Sequence, residues 1–135
     1  MEIKVEFPGG ARVDAHFGSF TVRTDQPLAH GGENSAPSPF EVFLASLATC
    51  AGYYVLGFCD RRGISSEGIR ITQRIERDAA TKMVRKIIVD IQLPAEFPRQ
   101  YVSAVIRAAE ACLVKKHLES PPAFEVLASL EAPAG

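Results

Sequence analysis

The feature that most restricts this chain is an uncharged stretch of eighteen residues, Val42–Cys59, framed by helix signals at both ends. Ser38 stands where an N-cap side chain accepts from the N3 amide. Pro39 occupies N1, where its missing N–H costs no bond, and Glu41 at N3 completes a capping box. At the far end Arg61 and Arg62 oppose the negative pole of the macrodipole, and Gly63 can take the left-handed conformation that ends a helix. Apolar residues fall on nearly every face between Phe40 and Phe58. Such a helix has no side to give to water, so its own sheet, another helix or a second subunit must cover it all round. The run touches the lower length limit for a membrane span. Ala, Ser, Thr, Gly and two Tyr dilute it and strand-like segments flank it, so a buried core helix is expected and no membrane partner.

The flanking segments read as strands. Ile3, Val5 and Phe7 alternate with charged residues; after Pro8-Gly9-Gly10, Val13, Ala15 and Phe17 alternate again, and Gly18-Ser19 leads to Phe20 and Val22. A Pro-, Gly- and Ser-rich connection, Asp25 to Pro39, then delivers the helix, and a connection this long in a small domain is more often functional or disordered than idle. Beyond Gly63, Ile69, Ile71 and Ile75 alternate, Asp78-Ala79-Ala80-Thr81 turns, and Met83 to Leu93 continues as a long second strand. Tyr101, Val102, Val105, Ile106, Ala109, Cys112 and Leu113 then follow helical spacing, predicting one amphipathic helix that Pro121-Pro122 stops. Phe124, Val126, Ala128 and Leu130 predict a last strand. The expectation is an α+β fold with the order βββ-α-ββ-α-β. A length of 135 residues suits one domain, 1–135, with a single core.

Charge excludes some partners. Fifteen Lys and Arg against sixteen Asp and Glu give a net charge of −1, so no broad positive field draws in nucleic acid or anionic lipid. The start, MEIKVEFPGG, lacks the basic and apolar regions of an export signal, and three widely spaced cysteines do not make a disulfide framework. A reducing, cytoplasmic location is expected. The histidines at 16, 30 and 117 have no ligand spacing, and no G-x-S-x-G, P-loop, Rossmann or H-E-x-x-H motif occurs; no metal or cofactor is expected.

The cysteines remain as carriers of chemistry. Cys50 lies about three turns inside the long helix, beyond the reach of its N-terminal dipole. It is either an inert core residue or a reactive thiol that needs positive charge from elsewhere, such as an Arg in contact. Cys59, about 900° further round the helix, projects from the opposite side. Cys112 sits on the apolar stripe of the second helix, whose largest packing surface is the first, so a meeting of Cys50 and Cys112 is sterically reasonable.

The run Gly31-Gly32 through Ala36-Pro37-Ser38-Pro39-Phe40-Glu41, then Leu44-Ala45-Ser46-Leu47-Ala48-Thr49-Cys50, resembles the signature of the OsmC/Ohr superfamily of thiol-dependent peroxidases. Cys112-Leu113-Val114, with Leu118 and Phe124-Glu125-Val126, is similar to that family's second-cysteine motif. The resemblance implies antiparallel sheets wrapped around a long buried central helix in an interlocked homodimer. It implies a peroxidatic Cys50 that reduces alkyl or lipid hydroperoxides to alcohols through a sulfenic acid, and a resolving Cys112 that forms a disulfide with it. A dithiol reductant, a lipoyl-protein or small thiol, would then restore both. The activating cation would come from an N-terminal strand or loop, with Arg12 as the nearest positional match and Arg23 as the alternative. Glu41 is the candidate acid, though it falls one residue beyond the family's acidic position, which Phe40 occupies here, and the capping box also accounts for it. Leu113 stands where many relatives carry Pro. Two other functions fit the same architecture: a non-catalytic binder of an apolar molecule or acyl chain, and a hot-dog-like thioesterase with Glu41 as base.

Overall fold

The computed structural model describes residues 1–130. Three strands open the chain, β1 (Lys4–Gly9), β2 (Arg12–Phe17) and β3 (Phe20–Thr24), in an antiparallel sheet of order β1-β2-β3. The β2–β3 register pairs Phe17 with Phe20 across Gly18, whose φ of +55° is a turn conformation that glycine adopts without strain. α1 (Pro39–Arg62) follows, then the antiparallel hairpin β4 (Arg70–Arg77) and β5 (Val84–Gln92), and finally α2 (Val102–Glu110) and α3 (Leu113–Glu119).

α1 begins and ends where its local signals place it. Ser38 Oγ accepts from the Glu41 amide at 3.3 Å, the Glu41 carboxylate accepts from the Ser38 amide at 3.0 Å, and Gly63 closes the helix at φ +65°. One stripe of α1, Leu47, Ala51, Val55, Phe58 and Cys59, is buried. Val55, Phe58 and Cys59 join Val105 of α2 and Phe97 in the core, flanked by Ile69, Ile71 and Ile91 of the hairpin region. At about 25 cal/mol per Å² of apolar surface removed from water, this α1–α2–hairpin sandwich is the main source of stability. Cover stops there: Tyr53 is 71% exposed and Leu56 44%, so within one chain α1 is buried along one side and not all round.

Two expectations of the periodicity are corrected. The helix expected to run from about residue 99 to Pro121 is two helices, broken at Ala111–Cys112. Cys112 adopts φ −48° and ψ 124°, an extended conformation between the helices, while its carbonyl accepts from Lys116 at 3.0 Å and starts α3. The expected last strand is absent: residues 121–130 form no ladder, and Phe124, Val126 and Leu130 are exposed at 88%, 92% and 101%. Alternation makes a strand only where another strand answers its backbone groups, and no strand of this chain does so among the described residues.

Candidate active site

The two cysteines separated by most of the α1–α3 sequence meet. Cys50 lies on the third turn of α1 at the margin of the buried stripe and is half-buried, while Cys112 is 3% exposed at the α2–α3 break. Each thiol shifts the other's proton affinity. The break starts α3 beside Cys50, and the amides of Leu113 and Val114, which have no acceptor inside the helix, favour its ionised form.

This arrangement divides the proton between the two sulfurs. For Cys50, burial is the largest single influence and disfavours the thiolate. The Val114 amide, the Cys112 thiol and the Leu113 amide together outweigh it and hold the Cys50 pKa below the ordinary cysteine value. For Cys112, burial again comes first and the neighbouring Cys50 adds to it, so its pKa is raised although the Lys115 and Val114 amides act in the opposite direction. Of the two, Cys50 is the more readily ionised and Cys112 the less.

The remaining candidates stand apart from that pair. Arg12 is exposed on the β1–β2 hairpin, donating to the Gly9 carbonyl at 3.3 Å and the Pro8 carbonyl at 3.5 Å. Arg23 is exposed on β3, opposite Asp14. Among the described residues of one chain no cation acts on Cys50. Glu41 is nine residues before Cys50, roughly 13.5 Å along the helix axis, and its carboxylate is held by Ser38, which lowers its pKa. That is a capping role. Cys59 is fully buried in the core, and burial followed by the neighbouring Asp60 charge raises its pKa, as befits an inert thiol.

The sequence carries no signal for the Leu113 and Val114 amides. A helix start is normally marked by Ser, Thr, Asp or Asn, and here Cys112 stands at the N-cap inside an unbroken helical periodicity.

The loop before α1 is built rather than slack. Asp25, 1% exposed, accepts from the Gln26 amide at 2.8 Å, the Glu33 amide at 3.3 Å, and the Ser35 amide and hydroxyl at 3.0 and 2.6 Å. The Ser35 hydroxyl contributes most to lowering its pKa to about 2. Gly32 passes so close to the opposite side of the loop that a Cβ there would lie 2.0 Å from the Gln26 carbonyl oxygen. The clamp joins the end of β3 to the capping box and so sets where α1, and with it Cys50, begins.

A groove of about 630 Å³ runs between β5 and the α2–α3 pair. Leu47 and Ala51 of α1, Ile87 and Ile91 of β5, Ile106 of α2 and Cys112 line its apolar part; Arg85, Lys86 and Lys115 with Asp90 and Glu110 supply the charges. An alkyl chain could lie there beside the cysteine pair.

These features have counterparts in known proteins. The sequence profile of OsmC-like proteins matches residues 32–127, a span holding both cysteines. No curated protein matches the chain significantly. Among solved structures, an osmotic stress induced and detoxification response protein from Psychrobacter arcticus superposes with a TM-score of 0.72 at 24% identity, over 84% of this chain and 85% of that one. An OsmC-like protein from Mycoplasma pneumoniae gives 0.70 at 13% identity, covering 89% and 87%. The organic hydroperoxide resistance protein OsmC from Legionella pneumophila gives 0.57 at 19% identity, covering 87% of each chain. At such identities the superpositions speak for the fold, while the profile match spans most of the sequence: the chain belongs to the OsmC family.

Proposed function

We propose that the protein is a cysteine-based peroxidase that reduces organic hydroperoxides to alcohols. The observation that carries this reading is the pairing of Cys50 with Cys112 at the start of α3, where the Cys112 thiol and the Leu113 and Val114 amides favour ionisation of Cys50 while Cys112 is pushed the other way. The Cys50 thiolate attacks the distal peroxide oxygen, the O–O bond breaks, and the alkoxide leaves and takes a proton from solvent as the alcohol. Cys112 then attacks the sulfur of the Cys50 sulfenic acid. The S–S bond forms as the S–O bond breaks, and the Cys112 proton leaves with the hydroxide as water. An external dithiol returns two electrons and restores both thiols. The apolar wall of the groove favours alkyl or lipid hydroperoxides over hydrogen peroxide, each buried methylene contributing about 0.8 kcal/mol.

The working unit in this reading is a homodimer in the cytoplasm, with no nucleic-acid or membrane partner. Uncovered apolar surface supports pairing: Val5, Phe7 and Phe20 on the three-stranded sheet and Tyr53 and Leu56 on α1 are all exposed. In such a pair the β1–β2 hairpin is the element free to bring Arg12 over the other copy's Cys50. α1 has the length and apolarity of a membrane span, but its stripe from Leu47 to Cys59 packs in the core, which favours the water-soluble reading.

One equivalent of cumene hydroperoxide should convert the reduced protein to a species with an intrachain Cys50–Cys112 disulfide, mapped by mass spectrometry, with release of the alcohol. Persistent free thiols with the peroxide unconsumed would remove the assignment. Light scattering should give twice the chain mass.

A further inference from the structure

We propose that Asp25 is a positioning residue: it locks the joint between the three-stranded sheet and α1, and so fixes the direction in which the sheet, with Arg12 on its hairpin, is presented to a second copy of the chain. This rests on the homodimer of the peroxidase reading and names the residue on which the approach of one copy's sheet to the other's Cys50 depends.

The first observation is how little else holds the sheet. β1, β2 and β3 pair only with one another, and no hydrophobic residue of theirs belongs to the core or packs against it. Val5, Phe7 and Phe20 are exposed. Within one chain the angle between sheet and core is therefore decided where the chain passes from β3 to α1.

The second is how that passage is built. Residues 25–37 form a closed Ω-loop. The Asp25 amide, the first after β3, donates at 3.2 Å to the carbonyl of Pro37, the last residue before the N-cap Ser38. The end of the strand and the start of the helix are thus joined directly, and the residues between them add no slack. Asn34 donates to the Gln26 carbonyl at 3.0 Å, Gly32 donates to the Pro27 carbonyl at 3.1 Å, and a Cβ on Gly32 would collide with the Gln26 backbone. On the strand side the Thr24 hydroxyl donates to the Val13 carbonyl, so the joint grips β2 as well as β3.

The third is the chemistry at the centre. The amides of Gln26, Glu33 and Ser35 and the Ser35 hydroxyl all donate to the Asp25 carboxylate, and among the described residues no cation pairs with it. A carboxylate accepts on both oxygens, whereas an asparagine would turn an NH2 group against donors. A buried charge balanced only by hydrogen bonds holds its partners in one geometry, because any opening of the loop strips donors from it.

Ser35→Ala loosens the joint mildly, since it removes the hydroxyl and keeps the amide, and Asp25→Asn loosens it further. Nitroxides carried on a ketone-bearing amino acid at Ser19, in the β2–β3 turn, and at Glu67, before β4, are both exposed and leave the three cysteines untouched. The full-length labelled chain is diluted with unlabelled chain, and the intrachain distance is read by double electron–electron resonance. Wild type should give one narrow distribution, and each variant, folded by circular dichroism, a distribution about twofold broader. In Ser35→Ala the inflection of Cys50 alkylation should rise by about half a pH unit, which slows alkylation below it about twofold. In an Arg12→Ala background Ser35→Ala should add nothing to the Cys50 profile. If Asp25→Asn does not fold, Ser35→Ala decides alone. An unchanged distance in the folded variants overturns the proposal, as does a broadened distance with the Cys50 inflection unmoved in a dimer whose Arg12→Ala variant does move it. An inflection that Arg12→Ala leaves in place, or a single chain mass in light scattering, defeats the cross-copy reading instead, and broadening in the variants then still sustains the joint.

Discussion

Leu113→Pro tests the site by removing one amide donor. Leu113 is the first residue of α3, where an amide has no partner within the helix and proline is favoured. Cys112 before it already has the extended ψ of 124° that a residue preceding proline prefers, and the Leu113 side chain is 55% exposed, so little packing is lost. What disappears is the Leu113 N–H that favours ionisation of Cys50. A hydrogen bond to a charged group is worth about 1.5–3 kcal/mol, and at the lower end that raises the Cys50 pKa by about one unit. At any pH below the Cys50 pKa the thiolate fraction then falls about tenfold, but a more basic thiolate is intrinsically about threefold more nucleophilic, so alkylation there slows about three- to fourfold. The assay is the pH profile of iodoacetamide alkylation at Cys50, read by peptide mapping, with circular dichroism as the check on folding. A well-folded variant whose inflection stays in place or moves to lower pH refutes the claim that α3 amides hold the thiolate.

Four other outcomes are expected. Cys112→Ser keeps a hydroxyl donor to Cys50 but cannot form the disulfide, so hydroperoxide treatment should leave a dimedone-reactive Cys50 sulfenic acid; no adduct would count against Cys112 as the resolving thiol. Gly32→Ala forces a Cβ against the Gln26 backbone, which cannot move aside as a side chain can, and should destabilise the fold by about 1–3 kcal/mol in urea unfolding. Asp25→Asn should lower the melting temperature at neutral pH. Because the folded pKa of Asp25 is depressed to about 2, its contribution is complete above the ordinary carboxylate pKa and disappears as pH falls through 2. The gap between wild type and variant should accordingly be constant above about pH 5 and narrow below it; a gap that widens in acid contradicts the clamp. Glu41→Gln preserves the capping box and should leave both the melting temperature and hydroperoxide consumption close to wild type, whereas loss of consumption would restore Glu41 as a catalytic acid.

The sequence by itself determined whatever depends on residues within a few positions of one another. The α1 boundaries follow from Ser38, Pro39, Glu41 and Gly63, whose bonds all close within one helical turn. The strands of β1 to β5 follow from alternation, and the placing of Cys50 on α1 and of Cys59 away from it follows from helical geometry. Tertiary structure alone decided the rest. The spacing from Tyr101 to Leu113 is that of one continuous helix, and nothing local announces the extended residue at Cys112. That break directs the Leu113 and Val114 amides, and backbone donors are the same for every residue type except proline, so no side chain could have advertised them. Within one chain the groups that lower the Cys50 pKa are two backbone amides and a thiol, none of which carries a net charge that a sequence displays. The segment from Phe124 to Leu130 shows the same limit from the other side: its alternation is the pattern of a strand, but a strand is a relation between two segments, and only the folded molecule decides whether the second one is there.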